Sequence, residues 1–129
     1  MKTNPVVHFE MPYKDAKRVS KFYQSAFGWN MVDAGPDMGG YVVAHTAETD
    51  EHMMVKTPGT INGGFYDAKM GKPEPSVVIS VENAQQSMEA VKKAGGKILG
   101  KPQQIPGVGL WVSFEDSEGN RVSIMQSSR

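Results

Sequence analysis

The chain has 129 residues, enough for a single domain that buries its own core without disulfide or structural-metal staples. Hydrophobic residues make up 39% of it, which excludes general disorder, and 14 basic against 14 acidic side chains leave no net field to draw nucleic acid or anionic lipid. Cysteine is absent, which excludes disulfides, thiolate nucleophiles and zinc or iron–sulfur sites built on sulfur.

The opening MKTNPVVHFEMP carries His8 and Glu10 inside its short apolar stretch, so it does not read as a signal-peptide core. No apolar run approaches the roughly 20 residues of a membrane helix, and a soluble, cytoplasmic protein is the expectation. Val6 to Met11 alternates, with Val7, Phe9 and Met11 on one side and Val6, His8 and Glu10 on the other, which predicts a strand with one polar face. Asp15 then offers a helix N-cap. Ala16, Val19, Phe22, Tyr23, Ala26 and Phe27 recur at helical spacing up to Gly28, so this stripe is expected to lie on a sheet. Strands are predicted at Asn30 to Val32 and Tyr41 to Thr46, separated by the Gly35-Pro36 and Gly39-Gly40 breakers. Between Glu48 and Gly64 two apolar pieces, Met53 to Val55 and INGGFY, both qualify as the next strand. Asp67 to Glu74, rich in Gly, Pro and Lys, reads as a linker.

The pattern then starts again. Val77, Ile79 and Val81 alternate with Ser76, Val78 and Ser80. Asn83 can cap a helix whose Ala84, Met88, Val91 and Ala94 share a face, and Gly95-Gly96 ends it. Lys97 to Gln103, Leu110 to Glu115 and Arg121 to Gln126 read as three strands joined by PGVG and DSEGN. Laying the first half on the second puts His8 on Ser76, Asp15 on Asn83, Ala16 on Ala84 and Gly28 on Gly96. The chain is therefore expected to be one domain over residues 1–129, made of two copies of one unit at about residues 5–68 and 75–127. Two such units facing each other would enclose a cleft.

Four stretches, HFEMPYKDAKRVSKFYQSAFGW, INGGFY, VVISVENAQQSMEAVKKAGGKI and PGVGLWVSFEDSEGN, in this order and spacing resemble the vicinal oxygen chelate superfamily of glyoxalase I, bleomycin-resistance proteins and extradiol dioxygenases. The resemblance implies an α+β fold of two βαβββ modules whose curled mixed sheet surrounds a central cleft, often completed by dimerisation. A symmetric homodimer is accordingly expected, since the far edge of each sheet needs a partner. In metal-dependent relatives, convergent His and carboxylate ligands hold a divalent ion that grips two substrate oxygens. Carried over position by position, His8 matches the first-strand ligand, whereas Ser76, Ser123 and either Gly63 or Gly64 stand where the other ligands would be. No cofactor is therefore expected, and an ordinary divalent-metal centre is disfavoured.

The candidate catalytic residues are His8 and Glu10, as base and orienter. The candidate ligand-binding residues are Ser76, Trp111, Arg121 and Ser123, with Trp111 and Arg121 suited to a planar or anionic small molecule. Each has a plainer reading: His8 as a hydrogen-bonded strand histidine, Glu10 as an ion-pair partner of Arg121 or Lys101, Trp111 as core, Arg121 as a solvated turn residue. His45 and His52 flank Asp50 and Glu51, but a solvated hairpin accounts for them better than a metal cluster. Met53, Met54 and Met125 could supply an adaptable apolar lining. HExxH, GxSxG and GxxxxGK[ST] are all missing. Three functions remain: a small-molecule-binding protein without the usual metal, a lyase or isomerase of glyoxalase I type (or a dioxygenase) with an atypical site using His8 and Glu10, and a non-catalytic interaction module with a filled cleft.

Overall fold

The computed structural model describes residues 2–70 and 73–128. Contacts divide the chain into two compact units, His8–Pro75 and Met1–Val7 with Ser76–Arg129, and each follows the βαβββ plan. Among the described residues no helix is long and apolar enough to cross a membrane.

In the first unit, β1 (Val6–Tyr13) pairs in parallel with β4 (Asn62–Asp67). β4 is antiparallel to β3 (Val42–His45), which is antiparallel to β2 (Asn30–Asp33). The helix α1 (Ala16–Phe27) starts where the Asp15 carboxylate accepts the Arg18 N–H at 3.0 Å, and ends where left-handed Gly28 donates its N–H to the Gln24 carbonyl. Tyr13, Met31, Val42, Ala44 and Phe65 form the core, with Phe9, Met11, Ala16, Val19, Tyr23 and Trp29 packed on it. Thus Phe9 and Met11 face the helix side of the sheet, as their alternation with His8 and Glu10 predicts.

Two expectations for this unit, on β1 and α1, are corrected, and the choice of its last strand, left open by the sequence, is decided. β1 continues past Met11 to Tyr13, because the buried Tyr13 ring joins the core and its hydroxyl donates to the Gly40 carbonyl at 2.8 Å. The apolar stripe of α1 is wider than the surface it covers, and Phe22 and Phe27 are 57% and 65% exposed. Phe22 lies roughly 120° around the helix from Ala16, and Phe27 is the last residue; Trp29, returning after Gly28, stacks on Tyr23 at 4.5 Å. Of the two candidate last strands, INGGFY is the real one. Met53 to Val55 instead closes a tight loop through an isolated Thr49–Val55 bridge, with the Asp50 carboxylate accepting the His52 and Met54 N–H groups. Of the expected linker, Asp67 belongs to β4, Ala68 donates its N–H to the Tyr13 carbonyl, and Gly71 and Lys72 lie outside the described residues.

In the second unit, β5 (Ser76–Val81) pairs in parallel with β8 (Arg121–Ser127). β8 is antiparallel to β7 (Gly109–Glu115), and β7 to β6 (Lys97–Ile105). Asn83 caps α2 (Ala84–Lys93) by accepting the Gln86 N–H, and the Ala84 N–H is taken by the Gln126 side chain. At the other end Gly96 and Gly95 donate to the Val91 and Lys92 carbonyls, a Schellman closure that leaves Ala94 exposed as the cap rather than on the packed face. The core is Val81, Met88, Val112, Phe114 and Ile124, with Ile79, Val91, Ile98 and Val122 against it. β6 runs beyond the expected Gln103 to Ile105 by absorbing a register shift between Leu99 and Gln103, where Gly100 and Pro102 interrupt the ladder.

Candidate functional site

In each unit the strands have one face against the helix and core, and the candidate residues lie on the other. In the first unit this is the side of His8 and Glu10, whose β4 neighbours are Asn62 and Gly64. The residue that organises this face is Tyr41, immediately before β3. Its phenol donates to Glu10 Oε2 at 3.0 Å and lies 2.9 Å from His8 Nε2. A phenol has one proton; because Glu10 takes it, the Tyr41 oxygen accepts from His8, which fixes the imidazole as the Nε2–H tautomer. Burial lowers the His8 pKa from 6.5 to about 4, so the ring is neutral at pH 7. Burial, with the adjacent charge and hydrogen bond of Glu10, raises the Tyr41 pKa well above the usual phenol range, so its proton stays in place.

Gly64 makes this arrangement possible. A Cβ there would fall inside the end of the Tyr41 ring, on its hydroxyl, Cζ and Cε2. Thus Gly64, one of the two glycines standing where the resemblance would put a metal ligand, carries no side chain, and Tyr41, just before β3, covers it. Sequence reasoning missed Tyr41. Its signals were an aromatic after Gly39-Gly40 and a glycine pair in INGGFY, but only the pairing of β3 with β4 sets one over the other.

In the second unit the helix-free face carries Arg121, Ser123 and Met125 on β8, paired in register with Glu115, Ser113 and Trp111 on β7. These are the faces that alternation predicts. The hydroxyls of Ser113 and Ser123 lie 3.0 Å apart, with their residues 3% and 1% exposed, so Ser123 is committed to a buried pair and offers little to a ligand. Ser76 donates to the Arg121 carbonyl at 3.1 Å. Trp111 and Arg121 are both half-buried. They are not adjacent: from the Trp111–Met125 rung to the Glu115–Arg121 rung is about 14 Å along the strands, with the serine pair between.

His8 and Glu10 therefore come together in one unit, and Ser76, Trp111, Arg121 and Ser123 in the other. His52 is 78% exposed in its side chain and sits 3.6 Å from Glu51, in keeping with a solvated hairpin. Among the described residues no group of three or more His, Asp or Glu side chains is arranged to hold a metal ion. The family-type donor set does not fit one either. Nε2 of His8 and one oxygen of Glu10 are engaged by Tyr41, the hydroxyls of Ser76 and Ser123 are used internally, and neither Gly63 nor Gly64 has a side-chain donor.

Comparison with known proteins agrees with this architecture. The family model for the Glyoxalase/Bleomycin resistance protein/Dioxygenase superfamily matches residues 6–124. A lactoylglutathione lyase of Oryza sativa subsp. japonica is 30% identical over 131 residues, covering 96% of this chain but 45% of that protein, so the chain spans less than half of this relative. A glyoxylase-like domain-containing protein of Didymella fabae is 30% identical over 120 residues, covering 89% of this chain and 88% of that one. Among solved structures, a Streptomyces coelicolor methylmalonyl-CoA epimerase in complex with 2-nitronate-propionyl-CoA superposes with a TM-score of 0.71 over 96% of this chain and 97% of the other. At 8% identity that likeness speaks for the fold alone. With its repeat, its topology and the family match over most of its length in agreement, the chain belongs to the glyoxalase/bleomycin resistance protein/dioxygenase superfamily.

Proposed function

We propose that this protein binds a small anionic molecule and does so without a resident divalent metal. The observation that carries this reading is the Tyr41 phenol between His8 and Glu10, lying over Gly64. To recruit His8 through Nε2, a metal would have to break a hydrogen bond to a half-buried ring and displace a phenol bonded to a carboxylate, which costs about 1.5–3 kcal/mol for the charged bond alone. It would gain too few ligands in return.

The ligand class follows from the second unit. An indole and a guanidinium carried on rungs about 14 Å apart along one face suit an extended molecule with an apolar or planar part and a carboxylate. A thioester of glutathione has this character, and the name of the rice relative makes S-lactoylglutathione the first probe. Titration of this compound should change the Trp111 fluorescence, and the change should be absent in Trp111→Phe. Arg121→Ala should weaken the response about tenfold to hundredfold through loss of a charge-assisted hydrogen bond. Equal affinity in wild type and Arg121→Ala would remove Arg121 from the site, and a silent Trp111 would remove this ligand class from consideration.

The second reading is a lyase or isomerase of glyoxalase I type, for which the 30% identity to the rice lactoylglutathione lyase is the supporting observation. It requires an atypical metal site in which His8 and Glu10 turn away from Tyr41 to become ligands.

A further inference from the structure

The hydrogen-bond chain on the first unit has a direction. Glu10 accepts from Tyr41, Tyr41 accepts from His8 Nε2–H, and the remaining lone pair of the imidazole sits on Nδ1. Among the described residues Nδ1 has no hydrogen-bond partner, and no fully buried polar side-chain atom is left without one, so Nδ1 is not fully buried. We propose that His8 is a specificity-determining residue whose Nδ1 selects ligands presenting an O–H or N–H donor, and that Tyr41 and Glu10 are the positioning residues that keep this nitrogen an acceptor. The proposal rests on the reading above, in which His8 does not ligate a metal.

The direction of the chain makes His8 an acceptor toward a ligand: its only N–H, at Nε2, is given to Tyr41, so the imidazole can offer only the lone pair of Nδ1. The ligand group that matches it is a hydroxyl or amide N–H that keeps its proton, such as the hydroxyl of an α-hydroxyacyl group. A site that pairs its acceptor only when the donor is present discriminates against the analogue lacking it, because the acceptor must give up water for nothing.

Two thioesters of glutathione that differ only in this hydroxyl, the lactoyl and the propionyl, test the idea. In protein carrying ¹⁵N-histidine at pH 7, the His8 resonances should show the Nε2–H tautomer. Addition of the lactoyl thioester should shift the Nδ1 resonance in the hydrogen-bonded direction, and the propionyl thioester should leave it in place. Calorimetry should find the lactoyl compound bound about three- to tenfold more tightly, the range of one neutral hydrogen bond. In Tyr41→Phe the two tautomers should approach equal populations and the preference should disappear. A wild-type Nδ1–H tautomer, or a tautomer and preference unchanged by Tyr41→Phe, would overturn the role given to Tyr41. Equal binding of the two thioesters, with Nδ1 unmoved, would overturn selection by His8 while leaving the small-molecule reading intact. Calorimetric silence toward both would overturn the two together.

Discussion

Gly109→Ala should lower the melting temperature by roughly 7–18 °C, the largest stability loss expected from any single added methyl group in the second unit. Gly109 has φ 148°, a conformation that side chains disfavour by about 1–2 kcal/mol. A Cβ there would also strike the Gln126 carbonyl and come 3.0 Å from the Ser127 Cα on the paired strand β8. Backbone cannot swing aside as a side-chain tip can, so an overpacking cost of about 1–3 kcal/mol adds to the strain. Gly107, at φ 75° in the turn that leads into β7, has nothing within 4 Å of its would-be Cβ and is the control. Gly107→Ala bears only the conformational part. Thermal unfolding of the two variants side by side checks the steric argument, which fails if their melting temperatures agree.

The second large effect is at Gly64. Gly64→Ala puts a methyl group into the space of the Tyr41 phenol, and because the obstructing atoms are the end of a side chain, the tyrosine should leave rather than the strand. His8 and Glu10 then lose their shared partner. The expected cost is about 1.5–3 kcal/mol, the value of a hydrogen bond to a charged group. A double-mutant cycle isolates the cause: in a Tyr41→Ala background the clash is gone, so Gly64→Ala should cost less than about 0.5 kcal/mol. Additive effects would show that Gly64 matters for some reason other than Tyr41.

Much of the fold was legible because its signals are local. Asp15 and Asn83 each cap the helix that follows, and Gly28 and Gly95-Gly96 each end one, since the required backbone geometry is decided within a few residues. The period of two separated His8 and Glu10 from Phe9 and Met11, and Ser123 from Ile124, because one face of each strand had to be apolar. The choice between Met53 to Val55 and INGGFY was not legible. It is decided by the parallel pairing of β1 with β4, a contact across the whole first unit. The same holds for the site. His8 and Glu10 were visible as a polar pair on one strand, but the residue that joins them comes from the segment just before β3 and depends on a missing side chain on β4. The spacing of Trp111 and Arg121 likewise required the β7–β8 register.

The account stands on Tyr41, rather than a metal ion, satisfying His8 and Glu10, and elemental analysis of protein purified without chelator tests this most directly. Divalent metal should be well below one ion per chain, and excess chelator should leave the melting temperature unchanged, because an ion that is not bound in the folded state cannot contribute to its stability. One tightly held divalent ion per chain, with a melting temperature that falls when the ion is removed, would contradict the account and favour the glyoxalase I type of site.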